Sequence, residues 1–155
     1  MPGFPGSLDP GRYFGHDLLG AAGRTDSANI RGMKETLAPG LVHHKTVVTT
    51  PDMGVGHLGP GNSVLSTPSM IGLMELTCLE CAQPYLDADE QTVGTMVHIW
   101  HRAAAQIGAT IELGVKLIER DRRKLLFEVK CTAGDKLIGE GTHERFVLDL
   151  KKMAK

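Results

Sequence analysis

Between Ser63 and Leu79 the chain carries a single charged residue, Glu75, set in the apolar run MIGLMELTC. Burying a lone carboxylate costs several kcal/mol unless it is paired or neutralised. Glu75 therefore either points to a wet edge of its element or sits in a site that holds it, where a carboxylate can act as acid or base. Thr67 lies eight residues earlier. On a helix of about 100° per residue the two are some 80° apart around the axis, so they can border one cavity, although a plain capping role accounts for Thr67 locally. Two histidines, His98 and His101, stand three apart in TVGTMVHIWH. On a strand they point to opposite faces, so they do not form a bidentate metal site, and alternation does not choose between them. Arg145 shares a face with His143, Gly141 and Gly139 in GEGTHERF, where so little side-chain volume implies close packing or room for a ligand. Its cation would anchor an anionic group or pair with a glutamate.

These residues need elements to hold them. HHKTVVTT (43–50) is short and β-branched, ends at Pro51, and reads as a strand; PDMGVGHLGPGN, rich in Gly and Pro, reads as a loop. Within it GVGHLG (54–59) matches G-x-G-x-x-G, but Pro60 and Gly61 follow where a dinucleotide site needs a helix to open, so the match is a decoy. Thr67 as N-cap and Pro68 at the first helical position start a helix of about four turns that ends before Pro84. Apolar residues surround most of its first half, which predicts burial on most sides. Four β-rich runs follow, over 92–104, 109–121, 124–134 and 136–150, the last three joined by short polar turns as in an antiparallel meander. Strand, loop, long helix, then four strands is an α+β order, a five-stranded antiparallel sheet wrapped around a long central helix, and is that of the hotdog fold.

Composition sets bounds on the rest. With 155 residues, 41% apolar and 23% charged, the sequence can build one domain with an adequate core. Seventeen basic against eighteen acidic residues, a net charge of -1, leave no excess for neutralising nucleic-acid phosphates. The basic cluster RDRRK (120–124) reads as a solvated turn. Three cysteines argue against a disulfide framework and fit a reducing cytoplasm, and C-x-x-C at Cys78 and Cys81 reads as two small buried side chains. No apolar run reaches the length of a membrane span. Residues 1–32 are glycine-rich without a sustained period and read as an extension or leader ahead of Met33, leaving 33–155 as the domain.

Together, MIGLMELTC, PYLDADEQTVGT and GEGTHERFVLDL resemble the hotdog-fold thioesterases, and among them the fluoroacetyl-CoA thioesterase-like group, over roughly 33–150. The resemblance implies hydrolysis of a small acyl thioester, carried by coenzyme A or another thiol, with no cofactor and no metal. It implies a catalytic trio of Thr67, Glu75 and His101, choosing His101 over His98, with Gly94 shaping the acyl pocket and Arg145 ordering the site. Glu75 would attack the carbonyl or deprotonate water, His101 would activate water or protonate the leaving thiolate, and Thr67 would orient. It also implies a homodimer, or a larger assembly, with active sites at the subunit interface. The lid segment before the threonine, GHLGPGNSVLST, bears Leu58 and Gly61 and no Phe where the family's fluoroacetyl selectivity is associated with phenylalanine, which points to another small acyl group. Competing readings are a non-catalytic acyl-thioester binding protein and an acyl-CoA hydratase or dehydratase.

Overall fold

A computed structural model describes residues 34–154. The expected extension over 1–32 lies outside the described residues. Five strands, β1 (Val42–Val48), β2 (Glu90–His101), β3 (Thr110–Asp121), β4 (Lys124–Ala133) and β5 (Lys136–Asp149), and the helix α1 (Thr67–Ala82) follow the order read from the sequence, with a short closing helix α2 (Leu150–Met153). All pairings are antiparallel and the spatial order is β1-β3-β4-β5-β2, so β1 and β2 form the edges. The β3-β4-β5 meander turns tightly, through Arg122 at positive φ and through Gly134.

Period-two burial explains the sheet. Ile111, Leu113, Val115 and Leu117 of β3 and Leu125, Phe127, Val129 and Cys131 of β4 face inward and are buried. On β5 the inward face carries Gly139, Gly141, His143, Arg145 and Val147. The two glycines serve close packing. A side chain at Gly139 would run into the Met70 sulfur, and one at Gly141, whose φ is +155, would strike the His98 carbonyl.

The helix corrects one expectation, the identity of its cap. Met70, Met74, Thr77, Cys78, Cys81 and Ala82 are buried and Ile71, Leu73 and Leu79 half-buried, so past Thr67 the single chain leaves open only a line of α1 through Pro68, Gly72 and Leu76. The N-cap is Ser66, whose hydroxyl accepts from the Ser69 N–H at 3.2 Å; Thr67 is the first helical residue, and its side chain is free for another partner.

The loop ahead of the helix is tied at its base. Gly54 bridges Leu65, the Val55 N–H donates to the Val64 carbonyl at 3.0 Å, and the Ser66 N–H donates to the Met53 carbonyl at 2.9 Å. GVGHLG thus lies in a loop well ahead of the helix start, as its following Pro and Gly require. Among the described residues the three cysteines are free and buried, and burial pushes the Cys81 and Cys131 thiols up to about 11 and Cys78 higher still. Two members of the basic cluster are structural: Arg120 donates to the Leu37 carbonyl at 2.8 Å, and Arg123 pairs with the buried Glu90 at 3.2 Å.

Candidate active site

Strand β2 carries a bulge. Gly94 lies opposite Arg145 and Met96 opposite Glu144, so Thr95 is an extra residue without a partner in the ladder. Directly opposed residues of an antiparallel pair share a face. Gly94 therefore faces inward with Arg145, and His101, opposite Gly139, faces inward as well. Strict alternation puts Gly94 and His101 on opposite faces; the inserted residue reverses the parity between them and puts both over the helix. His98 points the other way and lies against Trp100, ring centroids 4.4 Å apart, on the outer surface.

The isolated carboxylate of α1 has a partner from the far end of the sequence. Arg145 Nη1 lies 3.2 Å from Glu75 Oε1, with the Arg145 side chain 3% exposed and that of Glu75 42%. A buried guanidinium must spend its donors well. Arg145 Nε donates to the Thr92 hydroxyl at 2.9 Å, Nη2 donates to the Thr92 carbonyl at 2.8 Å, and Nη1 also reaches His143 Nε2 at 3.2 Å. The fork is therefore fixed by β2 and β5 before it meets the helix. Glu75 is gripped through Oε1 while its side chain stays partly open. Gly94 makes room for it: a Cβ there would stand 2.6 Å from Glu75 Oε1 and 3.0 Å from His143 Cε1.

A second cluster forms at the start of α1. The Thr67 hydroxyl and His101 Nδ1 are 2.8 Å apart, a hydrogen bond that couples the first helical residue to the end of β2. His101 Nε2 is enclosed and has no hydrogen-bond partner among the described residues. A hydroxyl on an imidazole is an arrangement for proton transfer or for orienting the ring. The chain thus joins Thr67 to His101 and, separately, Glu75 to Gly94 and Arg145. The helix spaces Thr67 and Glu75 by eight residues, about 12 Å along its axis.

Leu58 and Gly61 are at the exposed tip of the loop ahead of the helix, where the Leu58 carbonyl accepts from the Asn62 amide at 3.2 Å and Gly61 takes φ +78. Thr92 and His143 join the site without a role that the sequence alone suggests. His143 had a signal in its shared face with Arg145; Thr92 had none, since only the β2-β5 register brings it under the guanidinium. Among the described residues no group of three or more His, Cys, Asp or Glu is arranged to hold a metal ion.

Comparison with known proteins agrees with this architecture. The family model described as fluoroacetyl-CoA-specific thioesterase matches residues 44–151. The fluoroacetyl-CoA thioesterase of Streptantibioticus cattleyicolor is 34% identical over 127 residues, 77% of this chain and 91% of that protein. A solved structure of a fluoroacetyl-CoA thioesterase superposes with a TM-score of 0.69 at 33% identity, covering 75% of this chain and 91% of its own, and a variant form holds fluoroacetate and CoA. A thioesterase superfamily member from Thermus thermophilus superposes with a TM-score of 0.70 at 26% identity, over 76% of this chain and 88% of that one. A hot-dog-like protein from Thermanaerovibrio acidaminovorans, 16% identical, shares the fold. The five-stranded antiparallel sheet on one long helix is a hotdog fold, and the chain belongs to the fluoroacetyl-CoA-specific thioesterase family of thioester hydrolases.

Proposed function

We propose that this protein hydrolyses a small acyl-CoA thioester to the free acid and coenzyme A, with Thr67, Glu75 and His101 as its catalytic residues. The observation that carries the reading is the Glu75 carboxylate, held at Oε1 by the buried Arg145 yet 42% exposed beside the side-chain-free surface of Gly94. A thioester carbonyl laid over Gly94 meets this carboxylate, which attacks it or deprotonates the attacking water. The Thr67–His101 pair, with a free Nε2, supplies the proton to the departing thiolate or activates water. Backbone N–H groups at the start of α1 and near Gly94 are suited to the developing oxyanion. Arg145 serves by ordering Glu75, with its remaining contacts directed to Thr92 and His143.

The protein acts as a homodimer in this reading. Val93, Met96, Val97 and Trp100 are exposed along β2, an edge strand rich in apolar side chains, which supports pairing with the same strand of a second copy. Antiparallel pairing about a twofold axis between Val97 and His98 carries the partner subunit's β2 end, with its histidine, opposite Gly94. The two clusters, separate within one chain, then complete one another across the interface. Leu58 and Gly61, in a loop tip without phenylalanine, border the acyl pocket and favour a group other than fluoroacetyl. Buried thiols support a reducing compartment, the cytoplasm.

Thiol release from a panel of short, branched and aromatic acyl-CoA esters tests the reading, comparing the parent protein with Glu75→Gln. Loss of at least roughly a hundredfold in the variant, about 2.7 kcal/mol of transition-state stabilisation, places Glu75 in the chemical step. Equal rates in parent and variant, or no cleavage above buffer, sink the catalytic role and leave an acyl-thioester binding protein.

A further inference from the structure

His143 stands two residues before Arg145 on the inward face of β5 and is 2% exposed. Its Nδ1 is 3.0 Å from the Met96 carbonyl oxygen. A carbonyl only accepts, so Nδ1 bears the proton. Nε2 then presents a lone pair, and the group facing it at 3.2 Å is Arg145 Nη1, which only donates. Both contacts select one form of the ring, neutral and protonated at Nδ1. Burial holds His143 below the usual histidine value, and the Arg145 charge adds to this, against opposing effects of Glu75 and the Met96 carbonyl. A proton on Nε2 would set two donors against each other in a dry site.

Arg145 Nη1 has two N–H groups, with His143 Nε2 and Glu75 Oε1 each 3.2 Å from the nitrogen and the Glu75 carbonyl oxygen farther off at 3.5 Å. We propose that His143 is a positioning residue for Glu75 acting through Arg145: by accepting one Nη1 N–H it leaves the other aimed at a single carboxylate oxygen, so that the second oxygen stays available for chemistry. Without that lone pair one Nη1 N–H loses its shorter acceptor and is left with the long contact to the Glu75 carbonyl at 3.5 Å. Turning toward Glu75 is its nearest relief, which gives the carboxylate a two-pronged grip and draws it down on Gly94. The ring also fixes the floor, since its Cε1 would be 3.0 Å from a Cβ at Gly94. The inference rests on the role proposed for Glu75 and adds a residue outside the trio that sets how the carboxylate is presented.

Two substitutions separate the ends of the ring. His143→Asn retains a donor for the Met96 carbonyl but falls short of Arg145, whereas His143→Gln brings an amide oxygen near the place of Nε2. The first readout uses the full chain without ligand: nitrogen NMR of the His143 ring and of the Arg145 guanidinium. Protonated Nδ1, bare Nε2 and slowly exchanging Arg145 Nη protons are expected in the parent, with the Nη protons retained in His143→Gln and in fast exchange in His143→Asn. The second readout is acyl-CoA hydrolysis. His143→Asn should lower kcat roughly tenfold or more with little change in KM, and His143→Gln should recover most of it. A His143 ring protonated at Nε2, or a His143→Asn protein with unchanged kcat and unchanged Arg145 signals, overturns the proposal. If the parent cleaves no ester, the thioesterase reading fails, and the ring and guanidinium signals by themselves decide whether His143 holds Arg145.

Discussion

At the scale of single residues, the candidate site depends on side chains that are absent as much as on those present. Gly94 is needed because Glu75 and His143 both lean over it, at 2.6 and 3.0 Å from any Cβ. Gly94→Ala should leave the fold intact, since the closest clash is with the movable end of Glu75 and the His143 ring has to give by only a few tenths of an ångström, but should push the carboxylate off Arg145. Thiol release is expected to fall roughly tenfold to a hundredfold while the circular dichroism and melting temperature stay near the parent's; an alanine variant of full activity would refute the close approach. Glu75 was conspicuous in the sequence because an unpaired charge in an apolar run needs a reason. Its partner was not legible as such: 70 residues separate Glu75 from Arg145. Threonine before proline reads as a good cap, yet Ser66 is a better acceptor one residue earlier and leaves the Thr67 hydroxyl to His101.

At the scale of elements, strand and helix order could be read directly, because the β-branched runs and the long apolar segment have distinct periods and the turns have distinct chemistry. Facing could not. Alternation along β2 fails at Thr95, and only Gly94, a glycine inside a strand, hinted at a bulge. The bulge makes a specific prediction. Deleting Thr95 regularises the ladder with Gly94 and His101 both still inward, so the variant should keep thiol release within roughly tenfold of the parent. Deleting Thr95 and Met96 together leaves the parity wrong and turns His101 to the outer face, and activity should disappear. Comparable activity in the two deletions would show that the facing of His101 does not matter. The helix is the easier case: its apolar circumference predicts burial on most sides, and the open line is marked by Leu76 at 41% exposed.

At the scale of the whole molecule, the separation of Thr67–His101 from Glu75–Arg145 within one chain argues for a shared site. Glu75→Gln and His101→Ala proteins, each inactive, should regain activity when unfolded and refolded together, to about a quarter of the parent's for random pairing with one intact site per mixed dimer. No recovery would mean that each site draws its residues from one chain. Stability carries its own pH signature. The folded value of His143 lies below the ordinary histidine value of 6.5, so between the two the unfolded chain binds a proton that the folded chain refuses. This contribution is complete above pH 6.5 and is lost as pH falls through that window. Glu80, lowered by its hydrogen bond and pairing with Lys45, adds a further loss below its usual 4.5. Melting temperatures should therefore decline on acidification starting near pH 6.5, and His143→Gln should remove the first part of the decline; a flat profile in the parent would contradict the buried neutral ring.

The staple at the base of the loop before α1 bears on how such a protein changes over generations. Gly54 meets Leu65, Val55 meets Val64, Met53 meets Ser66 and Leu65 meets Ala105, so the residues that fix the start of the helix are tied down below the tip. Substitutions or a changed length between Gly56 and Asn62 are mechanically insulated from the cap and from Thr67. Selection can therefore vary this loop one residue at a time without passing through intermediates in which the start of the helix is misplaced.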